Sequence, residues 1–383
     1  MRILLNGLSL SYPISGIGRY TIQLGRSLAD LLGSEEVFWF GKDLSGEFPD
    51  YHDSQEPNFR NKAVNTLKKK LGVIPSLRTL IYFWRNRKFQ LYVKGSGPFL
   101  YHETNYVPFE FDEGPTVLTL FDLSFVRHPE WHPADRVKHF EKYCLKKLSK
   151  VEAIITISEF SKKEIINLLG LSPAKIHVTY LGVDQKFMPG EKGMEGLPKE
   201  YVLFLGNLEP RKNLQTLLRA YQSLPGNLRE RYPMVIAGAS GWHTQELKKA
   251  LHLIQDREKP ILTGYVPQQL LPDLYRGASL FVYPSFYEGF GLPVLEAMAC
   301  GIPVVASNTS SLPEVVGETG ILINPYDADE LRDAIGKVLE DPGQRKEMSE
   351  RGLERAKLFS WDKCARETLS VYQEVLGRES RSS

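Results

Sequence analysis

Cysteine is scarce: Cys144, Cys300 and Cys364 are the only three in 383 residues, far apart and without a Cys-x-x-Cys pair. That excludes a disulfide framework and a cysteine-based zinc site, and it fits a reducing compartment. A surplus of charge is lacking too, since 48 Lys and Arg stand against 46 Asp and Glu for a net +2. Such a balance argues against a nucleic-acid binder with a broadly basic surface. No uncharged run is long enough to cross a bilayer. The opening apolar run ends at Asn6-Gly7 and reads as a first strand, not a signal peptide, so a cytoplasmic protein is expected. From Pro57 to His102 there is no Asp or Glu, although ten Lys and Arg fall there among Trp84 and several Phe and Tyr.

What the chain does have is alternation. Short apolar runs (RILLN, VFWF, FLYH, TVLTLF, AIITI, IHVTY, then YVLFLG, PMVIAGA, PILTG, SLFVYP, IPVVAS, GILIN) are separated by amphipathic segments, the pattern of parallel strands joined by helical crossovers. Ser158 reads as the N-cap and Gly170 as the left-handed C-terminal cap of one such helix. The length exceeds what one core supports, so an α/β protein of two Rossmann-like parallel-sheet domains is expected. The apolar rhythm breaks at residues 184–200, rich in Gly, Pro and charge. The boundaries are therefore a first domain at 1–183, a linker at 184–200, a second domain at 201–360, and a helix and tail at 361–383 that cross back onto the first domain. Ligands of such sheets bind beyond the carboxyl ends of the strands, which directs attention to a deep interdomain cleft and to the loops after strands.

Three of those loops are unusual. In SGIGRY, Gly16 and Gly18 precede a helix and offer backbone N–H groups for a close phosphate; a plain tight turn fits them equally. In GNLEPRKN, Arg211 and Lys212 fall at a helix entrance, where cations oppose the helix dipole unless an anion is held there. In YEGFGLPVLE, Glu288 and Glu296 stand on either side of a Gly-Phe-Gly turn and Pro293, a residue suited to the first turn of a helix. Eight steps of about 100° leave the two carboxylates roughly 80° out of line, so they bracket a helix mouth instead of sharing a face. Either glutamate alone reads as a solvated or first-turn charge. Cations for a diphosphate and carboxylates for hydroxyls together describe a site for a nucleotide sugar.

The motifs SGIGRY, TLFDLSFVRHPEWHP, ITISEFSKKEI, GNLEPRKN, LTGYVPQQLLPDLY and YPSFYEGFGLPVLEAMACGIPVVAS, taken in order, resemble the retaining GT-B glycosyltransferases of family 4. The first-domain motifs look most like bacterial enzymes that add mannose or a related sugar to lipopolysaccharide or exopolysaccharide. The resemblance implies a donor, GDP-mannose or another GDP- or UDP-sugar, bound as substrate with no resident cofactor and no metal, and a glycan or lipid-linked acceptor. Carried over by position, Arg211 and Lys212 would hold the diphosphate. Glu288 with Gly289, Phe290 and Gly291 would hold the transferred sugar, Glu296 the ribose, Tyr265 and Val266 the base, while Gly16 and Gly18 would approach the phosphates. It also implies front-side attack in which the diphosphate helps to deprotonate the acceptor, although Glu288 is the tempting nucleophile of a double displacement.

One position departs from the family: many relatives read His-Asp-Leu where this chain has Phe121-Asp122-Leu123. Asp122, with His102, is the expected catalytic group on the acceptor side; the competing reading makes Asp122 a turn cap and the histidine structural, with His128 another neighbour. The acid-free stretch 57–102 suits an anionic membrane surface on the inner face of the cytoplasmic membrane, or else a solvated basic face or a groove for an acidic glycan or partner. A non-catalytic nucleotide-sugar-binding assembly subunit, a nucleotide-sugar epimerase and a phosphorylase of the same fold are the alternatives. No acid–base set for an epimerase and no cofactor-lysine motif for a phosphorylase can be located.

Overall fold

A computed structural model describes residues 1–10, 15–41, 44–45, 75–97, 99–191, 193–239, 241, 251, 254 and 259–382. The chain forms two compact units: Met1–Ile157 with Lys162–Tyr180 and Trp361–Ser383, and Ser158–Ser161 with Leu181–Ser360.

The sheet of the first unit contains β1 (Ile3–Asn6), β2 (Val37–Phe40), β3 (Leu44–Ser45), β4 (Leu100–Glu103), β5 (Thr116–Thr119), β6 (Ala153–Thr156) and β7 (Ile176–Val178), in the order β3-β2-β1-β4-β5-β6-β7. Six strands run parallel; β3 pairs antiparallel with β2 at the edge, an addition the apolar runs did not announce. Ile3, Leu4 and Leu5 are fully buried, as strands covered on both faces must be. The helix Trp361–Ser382 packs on the helix Gly16–Leu32 and on β6, within this unit. Its Trp361 ring lies 6.3 Å from that of Tyr20. Ser158 Oγ accepts from Ser161 N at 3.1 Å to start the helix Glu159–Leu169, and Gly170 ends it at φ 63°.

In the second unit β8 (Tyr201–Leu205), β9 (Met234–Ala237), β10 (Ile261–Gly264), β11 (Ala278–Tyr283), β12 (Val304–Ser307) and β13 (Ile321–Ile323) are all parallel, in the order β10-β9-β8-β11-β12-β13. The connections from β8 and from β11 leave in opposite directions, so these neighbouring strands form the topological switch point, where doubly wound sheets open a crevice. Arg276 fastens part of the segment 184–200 to this unit, donating to the carbonyls of Met188 (2.9 Å) and Lys186 (3.3 Å). All three cysteines are free and buried.

Candidate functional site

The loops that follow β8 and β11 are tied together before any side-chain chemistry begins. Asn213 adopts a left-handed conformation (φ 57°) and its amide donates to the carbonyls of Pro284 (2.9 Å) and Pro325 (2.6 Å). Phe286 N donates to Arg211 O at 2.8 Å. Arg211 and Lys212 stand in a single 3-10 turn, Pro210–Lys212, and Asn213 separates them from the helix Leu214–Gln222. The cations thus stand at the helix entrance as expected, in the turn directly before its N-cap Asn213.

Their partners lie 76 and 77 residues away in sequence. Arg211 Nη1 is 2.7 Å from Glu288 Oε2, and Lys212 Nζ is 2.6 Å from Glu288 Oε1. Arg211 Nε meets Glu209 Oε1 at 2.7 Å, and Lys212 also donates to the Tyr283 hydroxyl. Glu288 is 6% exposed, which rules out the solvated-loop reading. Burial alone would raise its pKa, but Arg211 and Lys212 outweigh that and hold it at about 2. Burial and the nearby Arg211 also draw the Lys212 ammonium below its ordinary value. The cluster therefore contains two cations and two carboxylates. A Glu288 carboxylate held so low accepts hydrogen bonds and stabilises positive charge; it does not donate protons.

The backbone around Glu288 is equally constrained. Its N–H donates to Ser310 Oγ (3.0 Å) and its carbonyl accepts from Ser311 Oγ (2.9 Å). Gly291 (φ 109°) precedes the helix Leu292–Ala299, with Pro293 in its first turn; a Cβ on Gly291 would stand 2.7 Å from Leu312 Cδ2. Gly289, Phe290 and Gly291 are buried, and Phe290 meets Phe359 edge-on at 5.8 Å. Glu296, expected about one turn inside the helix, is its fifth residue and fully buried, with the Tyr275 hydroxyl donating to Oε2 at 2.9 Å. The two carboxylates thus bracket the helix start as expected, but both are buried, Glu288 in the loop and Glu296 in the interior. Tyr265 and Val266 follow β10, two strands from the switch point, with Val266 5% exposed.

In the first unit Gly16 and Gly18 lie inside the first turn of the helix Gly16–Leu32, not ahead of it, and Ser15 Oγ already accepts from Gly18 N at 3.3 Å. Open space surrounds the position of a Cβ on Gly16. Asp122 Oδ1 accepts from Ser124 N (3.0 Å) and Ser124 Oγ (2.7 Å), capping the turn Ser124–Arg127. His102 is fully buried in β4, its Nδ1 2.6 Å from Tyr372 Oη and its Nε2 2.7 Å from Thr119 Oγ1. Burial lowers its pKa to about 3, so the imidazole is neutral. His128 stacks on Trp131 at 3.8 Å, with its Nδ1 3.2 Å from Glu130.

The histidine that joins Asp122 was not among those expected. His132, 9% exposed and stacked on Phe125 at 4.1 Å, places Nε2 3.0 Å from Ser124 Oγ, which itself donates to Asp122. Its sequence signal was its place in the same motif, PEWHP, ten residues after Asp122. Phe121 meets Tyr20 edge-on at 5.1 Å in an aromatic cluster.

Two doubly wound units, one with a cation–carboxylate cluster at its switch point, have the GT-B architecture. Among solved structures the chain is similar to sucrose-phosphate synthase from Thermosynechococcus elongatus (TM-score 0.71, 21% identity, 99% of this chain and 100% of that one). It is also similar to Anabaena HepE, solved with UDP-glucose (TM-score 0.68, 18% identity, 98% and 100%). The family model "Glycosyltransferase Family 4" matches residues 14–187, and "Glycosyl transferases group 1" matches residues 191–355. A protein described as O-antigen chain mannosyltransferase B, from Escherichia coli, is 36% identical over 97% of this chain and 100% of its own length. The chain belongs to glycosyltransferase family 4 and is a glycosyltransferase.

Proposed function

We propose that the chain is a retaining mannosyltransferase that transfers mannose from GDP-mannose to a growing, lipid-linked bacterial surface glycan. The observation that carries this reading is the cluster of Arg211, Lys212 and Glu288 at the switch point of the second unit. The mannosyltransferase relative of nearly equal length supports the choice of sugar and of an O-antigen-type acceptor.

In this reading an incoming diphosphate draws Arg211 and Lys212 partly away from Glu288, which is then available to the hydroxyls of the transferred mannose together with the backbone of Gly289, Phe290 and Gly291. Arg contributes a fork and Lys a point charge to the leaving group, so the developing negative charge is met by preorganised donors. Glu296 holds the ribose and the loop of Tyr265 and Val266 the base. The nucleotide sugar is a substrate and no resident cofactor takes part. Attack occurs from the front side, with the diphosphate taking the acceptor proton. On the acceptor side Asp122 is the contacting carboxylate, oriented through Ser124 by His132.

Peripheral membrane binding belongs to the same proposal. The helix Pro75–Val93 buries Tyr82, Asn86, Phe89 and Val93 but leaves Leu80, Phe83, Trp84 and Leu91 more than half exposed, alongside Arg85, Arg87 and Lys88 and with no acidic residue. Apolar and basic side chains on one helix are suited to an anionic lipid surface. Residues 57–74 and 98 of the acid-free stretch lie outside the described residues. None of the described helices is long and apolar enough to cross a membrane.

Incubation with GDP-mannose and a mannosylated acceptor, followed by NMR of the product, tests the reading. An α-mannosyl product is expected, because GDP-mannose is an α-glycoside; a β-linked product would overturn retention and absence of transfer would overturn the donor or acceptor assignment. Asp122→Asn is expected to lower transfer at least tenfold with nucleotide affinity unchanged.

A further inference from the structure

Among the described residues, the non-glycine positions with a positive φ are Tyr106, Asn213 and Ser310, and the last two serve the cluster of the second unit. Asparagine tolerates the left-handed region, and Asn213 uses its amide to join the loops there. Serine has no such preference, yet Ser310 is held at φ 56° in the loop between β12 and the helix Leu312–Val316. A glycine would make that bend without the steric cost of a Cβ, so the turn itself does not call for serine. What serine adds over glycine is a hydroxyl.

That hydroxyl accepts from Glu288 N at 3.0 Å and donates to the carbonyl of Thr309 at 2.7 Å. Its neighbours grip the same segment. Thr309 Oγ1 donates to the Phe286 carbonyl at 3.2 Å, and the fully buried Ser311 donates through Oγ to the Glu288 carbonyl at 2.9 Å. Side chains of an extended segment alternate in direction, whereas here the left-handed bend lets three successive hydroxyls meet one loop. This clasp acts on the backbone of Glu288, while Arg211 and Lys212 act on its carboxylate. A diphosphate that draws the two cations away leaves the carboxylate to be aimed mainly through its backbone.

We propose that Ser310 is a positioning residue for glycosyl transfer: its hydroxyl, held at a strained φ, fixes the Glu288 peptide and with it the carboxylate that meets the transferred sugar. The effect on transfer rests on the glycosyltransfer reading of Glu288; the hold on the Glu288 peptide does not.

The variants Ser310→Gly, Ser310→Ala and Ser310→Thr separate the hydroxyl from the strain. The first two remove the hydroxyl and only the first relieves the backbone, so Ser310→Gly is expected to melt above Ser310→Ala in thermal unfolding. Both are nevertheless expected to lower kcat for transfer from GDP-mannose at least tenfold, with GDP affinity by calorimetry as in wild type. Ser310→Thr keeps the hydroxyl on a branched side chain that suits a positive φ even less, so it is expected to restore most of the transfer while melting below wild type. Hydrogen-exchange mass spectrometry without substrate, on fragments spanning Glu288, is expected to show faster exchange in Ser310→Gly and near wild-type exchange in Ser310→Thr. Transfer that falls in step with melting temperature across the three variants marks a merely structural serine and overturns the proposal. Unchanged transfer or unchanged exchange in Ser310→Gly overturns it equally. Full transfer by Glu288→Gln overturns the reading of Glu288 instead, and the exchange measurement then still decides whether Ser310 holds the peptide.

Discussion

Replacing Glu288 by Gln keeps the shape of the side chain and removes the charge that Arg211 and Lys212 share. The two cations hold the carboxyl at about 2 against its ordinary 4.5. At about 1.4 kcal/mol per pH unit, that difference corresponds to stabilisation on the order of 3 kcal/mol for the ionised form. The sign follows from a depressed pKa: the contribution is fully present above about pH 4.5 and is lost as pH falls towards 2. Urea unfolding followed by circular dichroism, fitted with separate transitions where the two units part, should show the Glu288→Gln variant less stable at pH 7 by about 1 M in midpoint for a slope of about 2–3 kcal/mol/M. The deficit should shrink to roughly half near pH 3. The same variant leaves both cations without their shared carboxylate, so it should bind GDP at least as tightly as wild type while losing transfer. Unchanged stability at pH 7, a deficit independent of pH, or weaker GDP binding would each refute the reasoning.

Three further outcomes follow from buried contacts. Tyr275→Phe removes the donor to Glu296 in a dry interior and should destabilise the second unit by about 1–3 kcal/mol, read by thermal unfolding. Gly291→Ala places a Cβ 2.7 Å from Leu312 Cδ2 at φ 109°, so lower stability and disturbed GDP binding are expected; a neutral result would show that the turn relaxes. His102, kept neutral down to about pH 3, leaves the unfolded chain holding the extra proton between about 3 and 6.5, so wild-type stability should rise with pH across that window. His102→Gln should flatten this slope by up to about 1.4 kcal/mol per pH unit, measured as urea midpoints at about pH 4 and pH 6.5.

Both sheets were legible because their strands are buried on two faces and read as continuous apolar runs between turn residues. The edge strand β3 was not, since Leu44-Ser45 is too short to carry a pattern. The C-terminal helix was expected on the first unit because its apolar positions needed a partner, and it packs there beside the helix Gly16–Leu32. Residue types at the two strand-end loops were visible; their pairing was not. Glu288 lies 77 residues from Arg211, and only the adjacency of β8 and β11 brings them within 2.7 Å. Local rules placed Glu296 within a residue of its helical position but not its burial, because the Tyr275 hydroxyl that donates to it belongs to another helix. The link from Asp122 to His132 passes through a serine hydroxyl, and a chain of hydrogen bonds of that kind has no spacing signature.

The central claim is that Arg211 and Lys212 hold a nucleoside diphosphate at the switch point of the second unit. Calorimetric titration of GDP into wild type and Arg211→Met tests it most directly, because the Arg211 side chain is partly exposed and its loss need not unfold the unit. The account predicts specific binding by wild type and at least a tenfold loss in the variant, the effect of removing a charge-assisted pair of hydrogen bonds. Equal GDP affinity in the two proteins would contradict it.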